Sequence, residues 1–207
     1  MPHTCDEINS LRLGRELSID IAGTNVANLN ITSANDSFVV LENSGASISA
    51  INIEGSGALS LIGALPNSIT TINGGTSSTS LTVSTGSAGA TVTGGSGNDV
   101  IVLGGGTNTV NSGNGSDTIT LSTGNDTVNT GSGSDTVTAS SGTNSITTGA
   151  SGDQITLSGG TNTVNSGASN DQLTISGGTN NIDTESGNDQ ITISGGSNTI
   201  ATGNDND

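Results

Sequence analysis

Aspartate and asparagine recur in this chain at a spacing that suits metal chemistry. Stepping by nine from Asp99 gives Asn108, Asp117, Asp126, Asp135, Asn144, Asp153, Asn162, Asp171, Asn180, Asp189, Asn198 and Asp207. The stops alternate. Asp99, Asp117, Asp135, Asp153, Asp171, Asp189 and Asp207 form one set at a spacing of eighteen, and the interleaved set is Asn except for Asp126. Carboxylates are hard oxygen donors of the kind that calcium selects. Carboxamides carry both a donor and an acceptor, so stacked copies can bond to one another without an ion.

The elements that would hold these residues follow from the positions around each stop. Two residues after a stop comes an aliphatic side chain: Ile101, Val110, Ile119, Val128, Val137, Ile146, Ile155, Val164, Leu173, Ile182, Ile191 and Ile200. Two residues further on, the Asp set carries Leu103, Leu121, Ala139, Leu157, Ile175 and Ile193. The other set carries Ser112, Thr130, Thr148, Ser166, Thr184 and Thr202. Residues i, i+2 and i+4 share one face of a strand. Each eighteen-residue unit is therefore predicted to be one coil of two short strands and two turns. One strand points two aliphatic residues inward, and the other points one aliphatic residue and one hydroxyl. Glycine usually stands two before the stop, as at Gly97, Gly106, Gly115, Gly124 and Gly133.

These units resemble the calcium-binding nonapeptide of the RTX (repeats-in-toxin) proteins, whose consensus is G-G-x-G-x-D-x-U-x. Residues 94–102, Gly-Gly-Ser-Gly-Asn-Asp-Val-Ile-Val, match at every position, and 112–120, 130–138 and 184–192 are degenerate copies. The resemblance implies an all-β, right-handed parallel β-roll with Ca²⁺ between successive turns, and export to the cell surface or beyond, as in RTX adhesins and surface-layer proteins. The chain departs from the family at one edge, where Asn replaces Asp. Coils about 4.8 Å apart bring neighbouring carboxylates within ~1 kcal/mol of repulsion even in bulk water, and salt screens little at that range. Calcium is accordingly expected on Asp99, Asp117, Asp135, Asp153, Asp171, Asp189 and Asp207. Asp126 joins the candidate ligands as the acidic exception on the opposite edge. Asn108, Asn144, Asn162, Asn180 and Asn198 are expected to form a metal-free amide ladder. The plainer alternative is that each Asp merely closes its own turn.

Composition sets the outer limits. The 207 residues hold eighteen acidic side chains against two arginines and no lysine, a net charge of −16. Such a chain is not expected to bind nucleic acid or an anionic membrane by electrostatics. Phe38 is its one aromatic residue, so a globular core is excluded in favour of a thin rod. Ordering is expected to depend on calcium.

The chain divides into 1–16, a docking or capping segment, 17–93, wider irregular coils of the same parallel β-helix, and 94–207, the regular roll. Strands are expected near 17–21, 29–31, 38–41, 51–53, 59–61, 69–72, 81–83 and 90–92. Asn35-Asp36-Ser-Phe38-Val-Val40 faintly echoes the calcium unit. No apolar run has the length of a signal peptide or a membrane span.

With one histidine, His3, and one cysteine, Cys5, no nucleophilic triad, zinc site or disulfide framework is supported. No Lys exists for a phosphate loop, and the chain is read as no enzyme. The expected function is a calcium-binding structural rod of an extracellular assembly: surface filament, surface layer or adhesin stalk. The repeat runs in phase to Asp207, so the expectation is either a piece of a longer protein or copies that stack end to end. Alternatives are a virus fibre or capsid decoration protein on the virion surface, and an ice- or ligand-binding face built from the outward Thr and Asn rows.

Overall fold

The computed structural model describes residues 7–12, 17–20, 27–42, 48–203 and 206–207. Among them there are strands, turns and bridges and no helix. His3 and Cys5 lie outside the described residues, as do residues 13–16 and 21–26.

Strands alternate between two parallel sheets, one of eleven strands and one of ten, and each strand pairs with the strands two before and two after it in the chain. This is a parallel β-solenoid. The first sheet begins with Glu7–Arg12, paired to Asn28–Ser33, and the second begins with Leu17–Asp20, paired to Ser37–Glu42. All the strands expected in the irregular half are present, the 69–72 one as Thr71–Asn73.

Coil length contracts along the chain. Asn28 lies beside Ala50, Ala50 beside Thr71, Thr71 beside Thr91 and Thr91 beside Thr109. Those steps are 22, 21, 20 and 18 residues. On the second sheet the eighteen-residue step is in place by Thr82 and Val100. The longer coils close with side-chain caps on their turns. Asn67 Oδ1, for example, takes both the backbone N–H and the hydroxyl of Ser87 at 2.7 and 3.1 Å.

A single apolar file runs up the inside from Leu29 to Ile182. Ile101, Ile119, Val137, Ile155 and Leu173 stack in register on the second sheet. Val110, Val128, Ile146, Val164 and Ile182 face them from the first. All ten are buried. Ser112, Thr130, Thr148, Ser166 and Thr184 are buried beside them. Strand alternation explains this: the hydroxyl occupies the second inward position of the first-sheet strand. Buried hydroxyls need partners, and the next coil supplies one for three of these five, while Ser166 Oγ and Thr184 Oγ1 have none. Ser112, Thr130 and Thr148 donate to the carbonyls of Thr130, Thr148 and Ser166 at 3.2, 2.9 and 2.9 Å.

Candidate metal edge

From Asp99 to Asp189, each Asp of the eighteen-residue set sits where a turn enters a second-sheet strand. From Asp99 to Asp189 these side chains are at most 5 % exposed, whereas Asp207 is exposed. Their backbone carbonyls are used by the next coil: Asp99, Asp117, Asp135, Asp153 and Asp171 accept from Thr118, Thr136, Gln154, Gln172 and Gln190, each at 2.8 Å. Their backbone N–H groups lie just outside the sheet ladder and have no carbonyl opposite. The carboxylate of the following coil takes that place. Leu81, Asp99, Asp117, Asp135, Asp153, Asp171 and Asp189 donate their N–H to Oδ1 of Asp99, Asp117, Asp135, Asp153, Asp171, Asp189 and Asp207, at 2.7–3.0 Å. A side-chain oxygen thus extends the ladder by one rung, satisfying a donor that burial would leave costly.

These bonds differ from the sequence expectation in one respect. The carboxylates do not stack as wholly unbonded charges, because one oxygen of each is tied to backbone. The bond joins successive coils and does not close the residue's own turn. The other oxygen is a different matter. Oδ2 of Asp99, Asp117, Asp135, Asp153, Asp171 and Asp189 is buried with no hydrogen-bond partner. Burial is the main reason the carboxyls of Asp99, Asp117, Asp135, Asp153 and Asp171 are all pushed above the ordinary range, Asp99 to about 7 and Asp153 to about 6. Neighbouring carboxylates add to the push, as Asp135 and Asp171 do for Asp153. The inner hydroxyls oppose it: Ser112, Thr130, Thr148 and Ser166 lower Asp117, Asp135, Asp153 and Asp171. Asp99 has no such neighbour, because Gly94 holds that position, and a Cβ there would collide with Asp99 Oδ2.

A file of buried, unpartnered carboxylate oxygens calls for a counter-charge. Oxygen donors at this pitch suit a hard divalent cation. Among the described residues no three His, Cys, Asp or Glu side chains converge on one point. An ion here would therefore take carboxylate oxygens from the file and complete its shell with main-chain carbonyls of the glycine-rich turns. The donor set fits calcium. The RTX calcium-binding nonapeptide family model matches four overlapping segments of the chain, 85–119, 111–146, 120–155 and 138–173. Residues 85–173 are RTX calcium-binding nonapeptide repeats. Neither a curated protein nor a solved structure matches the chain. Asp189 and Asp207 lie past the matched RTX segments yet keep the same register and the same Oδ1 bond.

The opposite edge of the RTX region is held differently. Asn144, Asn162 and Asn180 donate from Nδ2 to Oδ1 of Asn162, Asn180 and Asn198 at 2.7–2.8 Å. The second amide hydrogen goes to a turn carbonyl of the same coil, such as Gly159 for Asn162 at 3.0 Å. Asp126 stands within this column. Its Oδ1 accepts both the Nδ2 and the backbone N–H of Asn108, at 2.8 and 3.1 Å, and its Oδ2 is buried without a partner. Asp36, in the faint echo, is exposed and accepts from Ala58 N in the following coil at 3.2 Å. That is the reverse of the direction used along the Asp file.

Sequence reasoning missed the influence of the hydroxyl column on the acidic column. The signal was available: Ser112, Thr130, Thr148 and Ser166 each stand five residues before an Asp of the file.

Proposed function

We propose that this chain is a non-catalytic structural rod whose coils are locked by calcium along the Asp99–Asp207 file, and that it works outside the cell. One observation carries the reading: six buried aspartates in single file, each with an unpartnered Oδ2, within and just beyond a set of calcium-binding repeats. Calcium bound there removes both the desolvation and the mutual repulsion of the carboxylates, so binding free energy becomes folding free energy. Extracellular fluid supplies calcium at the millimolar level that low-affinity oxygen sites need. A net charge of −16 with no lysine favours cations over nucleic acid or anionic lipid as partners. The unbroken eighteen-residue register of the second sheet along the file suits a mechanical task in a surface filament, surface layer or adhesin stalk.

Further stacking is supported by the coil at 190–201. Ile193 is 48 % exposed, and Ile191 and Ile200 only pack partly against the core, unlike their buried counterparts in earlier coils. Another coil placed there would cover them. Electron microscopy of the purified protein with calcium and with chelator tests the whole reading. Straight rods or filaments in calcium that collapse in chelator are expected. Rods unchanged by chelator would overturn the calcium role.

A ligand- or ice-binding face is a second reading. Thr120, Thr138, Thr156, Thr174 and Thr192 stand in unbroken register on the outward side of the second sheet. The parallel row changes from Thr118 and Thr136 to Gln154, Gln172 and Gln190, which weakens any lattice match. Thermal hysteresis in the presence of calcium separates this reading from the structural one.

A further inference from the structure

Several irregularities coincide at one level of the solenoid. The amide column is interrupted there: Asp126 Oδ2 and Asn144 Oδ1 belong to consecutive positions of the column, both are buried, and neither has a partner. Every other step from Asn144 onward is bridged by an Nδ2–H, but an ionised carboxylate above a carboxamide oxygen offers two acceptors and no donor. The paired strands overlap less at the same level, although Thr143 N to Gly124 O at 2.8 Å, Asp126 N to Thr143 O at 3.2 Å and Ser145 N to Asp126 O at 2.8 Å carry the bonding on beside the overlap. Thr127–Asn129 pair with Ser145–Thr147 over three residues, whereas the pairs on either side hold over five, Thr109–Ser132 below and Thr143–Asn165 above.

The strand has shifted along the chain. It starts one residue after the column position at Thr109 and Thr127, but one residue before it at Thr143 and Thr161. Hydrogen bonds at the adjoining turn are long. Gly133 N reaches Ala150 O at 3.4 Å and Ala150 N reaches Gly131 O at 3.3 Å, against 2.9 Å for Gly115 N to Ser132 O one coil earlier. Finally, the core row that reads Leu121, Leu157 and Ile175 has Ala139 at this coil, with less apolar surface to bury.

The second sheet and the acidic file cross this level intact. Thr136–Ala139 pair with Gln154–Leu157 over four residues, and Asp135 N bonds Asp153 Oδ1 at 2.7 Å. One side of the rod is weak and the other is continuous. We infer that the solenoid has a built-in hinge between the strands Thr127–Ser132 and Thr143–Thr147. The first sheet opens there while the second sheet and the acidic edge stay closed. It splits the roll into two stiff blocks and gives the rod one defined place to bend. Local openings of this kind are set by missing hydrogen bonds and thin packing.

Hydrogen exchange on the full chain in calcium tests the hinge. Peptides covering 143–151 are expected to exchange roughly tenfold faster than those covering 161–169, because one or two buried hydrogen bonds are lost. Asp126→Asn supplies the missing Nδ2–H to Asn144 and should slow the 143–151 peptides toward the rate of their neighbours. Asn162→Asp transplants the same acceptor clash to the Asn162–Asn180 step and should create a second fast segment at 179–187. A uniform exchange profile, or no response of 143–151 to Asp126→Asn, overturns the hinge. Neither result bears on calcium at the acidic file, which is read separately by the chelator experiment.

Discussion

The backbone N–H of Asp99 is held at 2.7 Å by Oδ1 of Asp117, one coil further on. The same contact recurs up the file. It makes the carboxylate two things at once. Oδ1 is part of the backbone ladder, while Oδ2 is a buried charge without a partner.

Asparagine can do the first task and not the second, so Asp→Asn changes should have opposite effects with and without calcium. In the variant Asp117→Asn/Asp135→Asn/Asp153→Asn, each Oδ1 can still accept a backbone N–H. Roughly 1 kcal/mol of like-charge repulsion is relieved per neighbouring pair, even by the bulk-water value. In chelator the variant is expected to show more β-structure and a higher Tm than the parent chain. In millimolar calcium the parent should be the more stable of the two. Circular dichroism melts under both conditions check this; a variant less stable in both would show that the charges are not what calcium offsets.

pH gives a second handle, with opposite signs for the two forms. Asp99 at about 7 and Asp153 at about 6 lie above the 3.8 of an ordinary carboxyl. Between those values the calcium-free folded chain binds protons that the unfolded chain does not. Its stability is therefore expected to be greatest near pH 4 and to fall as pH rises to about 7, then to level off. Calcium needs the deprotonated carboxylates, so its affinity should rise over the same interval. Melting temperatures from pH 4 to 8, with calcium and with chelator, should converge at the acid end and separate at the alkaline end. Parallel curves would contradict the shifted carboxyls.

Much of this was legible in the sequence because a strand with an inward side chain every second residue leaves an unambiguous eighteen-residue trace. Ile101, Ile119 and Ile155 had to stack, and they do. The destination of Asp99 Oδ1 was not legible. It depends on the N–H of Leu81 falling just outside the ladder, which spacing alone does not reveal. Nor was the strand shift between Thr127 and Thr143, since the nine-residue phase passes through it unchanged. Coil lengths of 22, 21 and 20 residues in the first half blurred the period, but the alternation within each strand survived there.

Turn geometry yields a third prediction. Gly115, Gly133 and Gly187 have positive φ, and Ser151 and Ser169 occupy the same turn position with φ of 85° and 89°. A side chain there costs on the order of 1 kcal/mol. Ser151→Gly and Ser169→Gly are each expected to raise stability by up to about that amount, less the entropy that glycine adds to the unfolded chain. Gly133→Ala runs the other way, because its Cβ would collide with the carbonyl oxygen of Gly115. Denaturant melts in calcium should place the serine variants above the parent and Gly133→Ala below it by more than about 1 kcal/mol.

Thr148 joins the two inner columns. Its hydroxyl donates to Ser166 O at 2.9 Å, and its proximity holds the Asp153 carboxyl lower than burial alone would. Thr148→Val keeps the shape and removes the hydroxyl. Stability should fall by about 1–2 kcal/mol, because a buried acceptor loses its donor. With the hydroxyl gone, the Asp153 carboxyl moves further up, so calcium binding should weaken more at pH 6 than at pH 8. Thr148→Ser retains the donor and should behave like the parent in its pH profile. Calorimetric titration with calcium at the two pH values separates the roles: equal losses at both would assign Thr148 to packing alone, with no influence on Asp153.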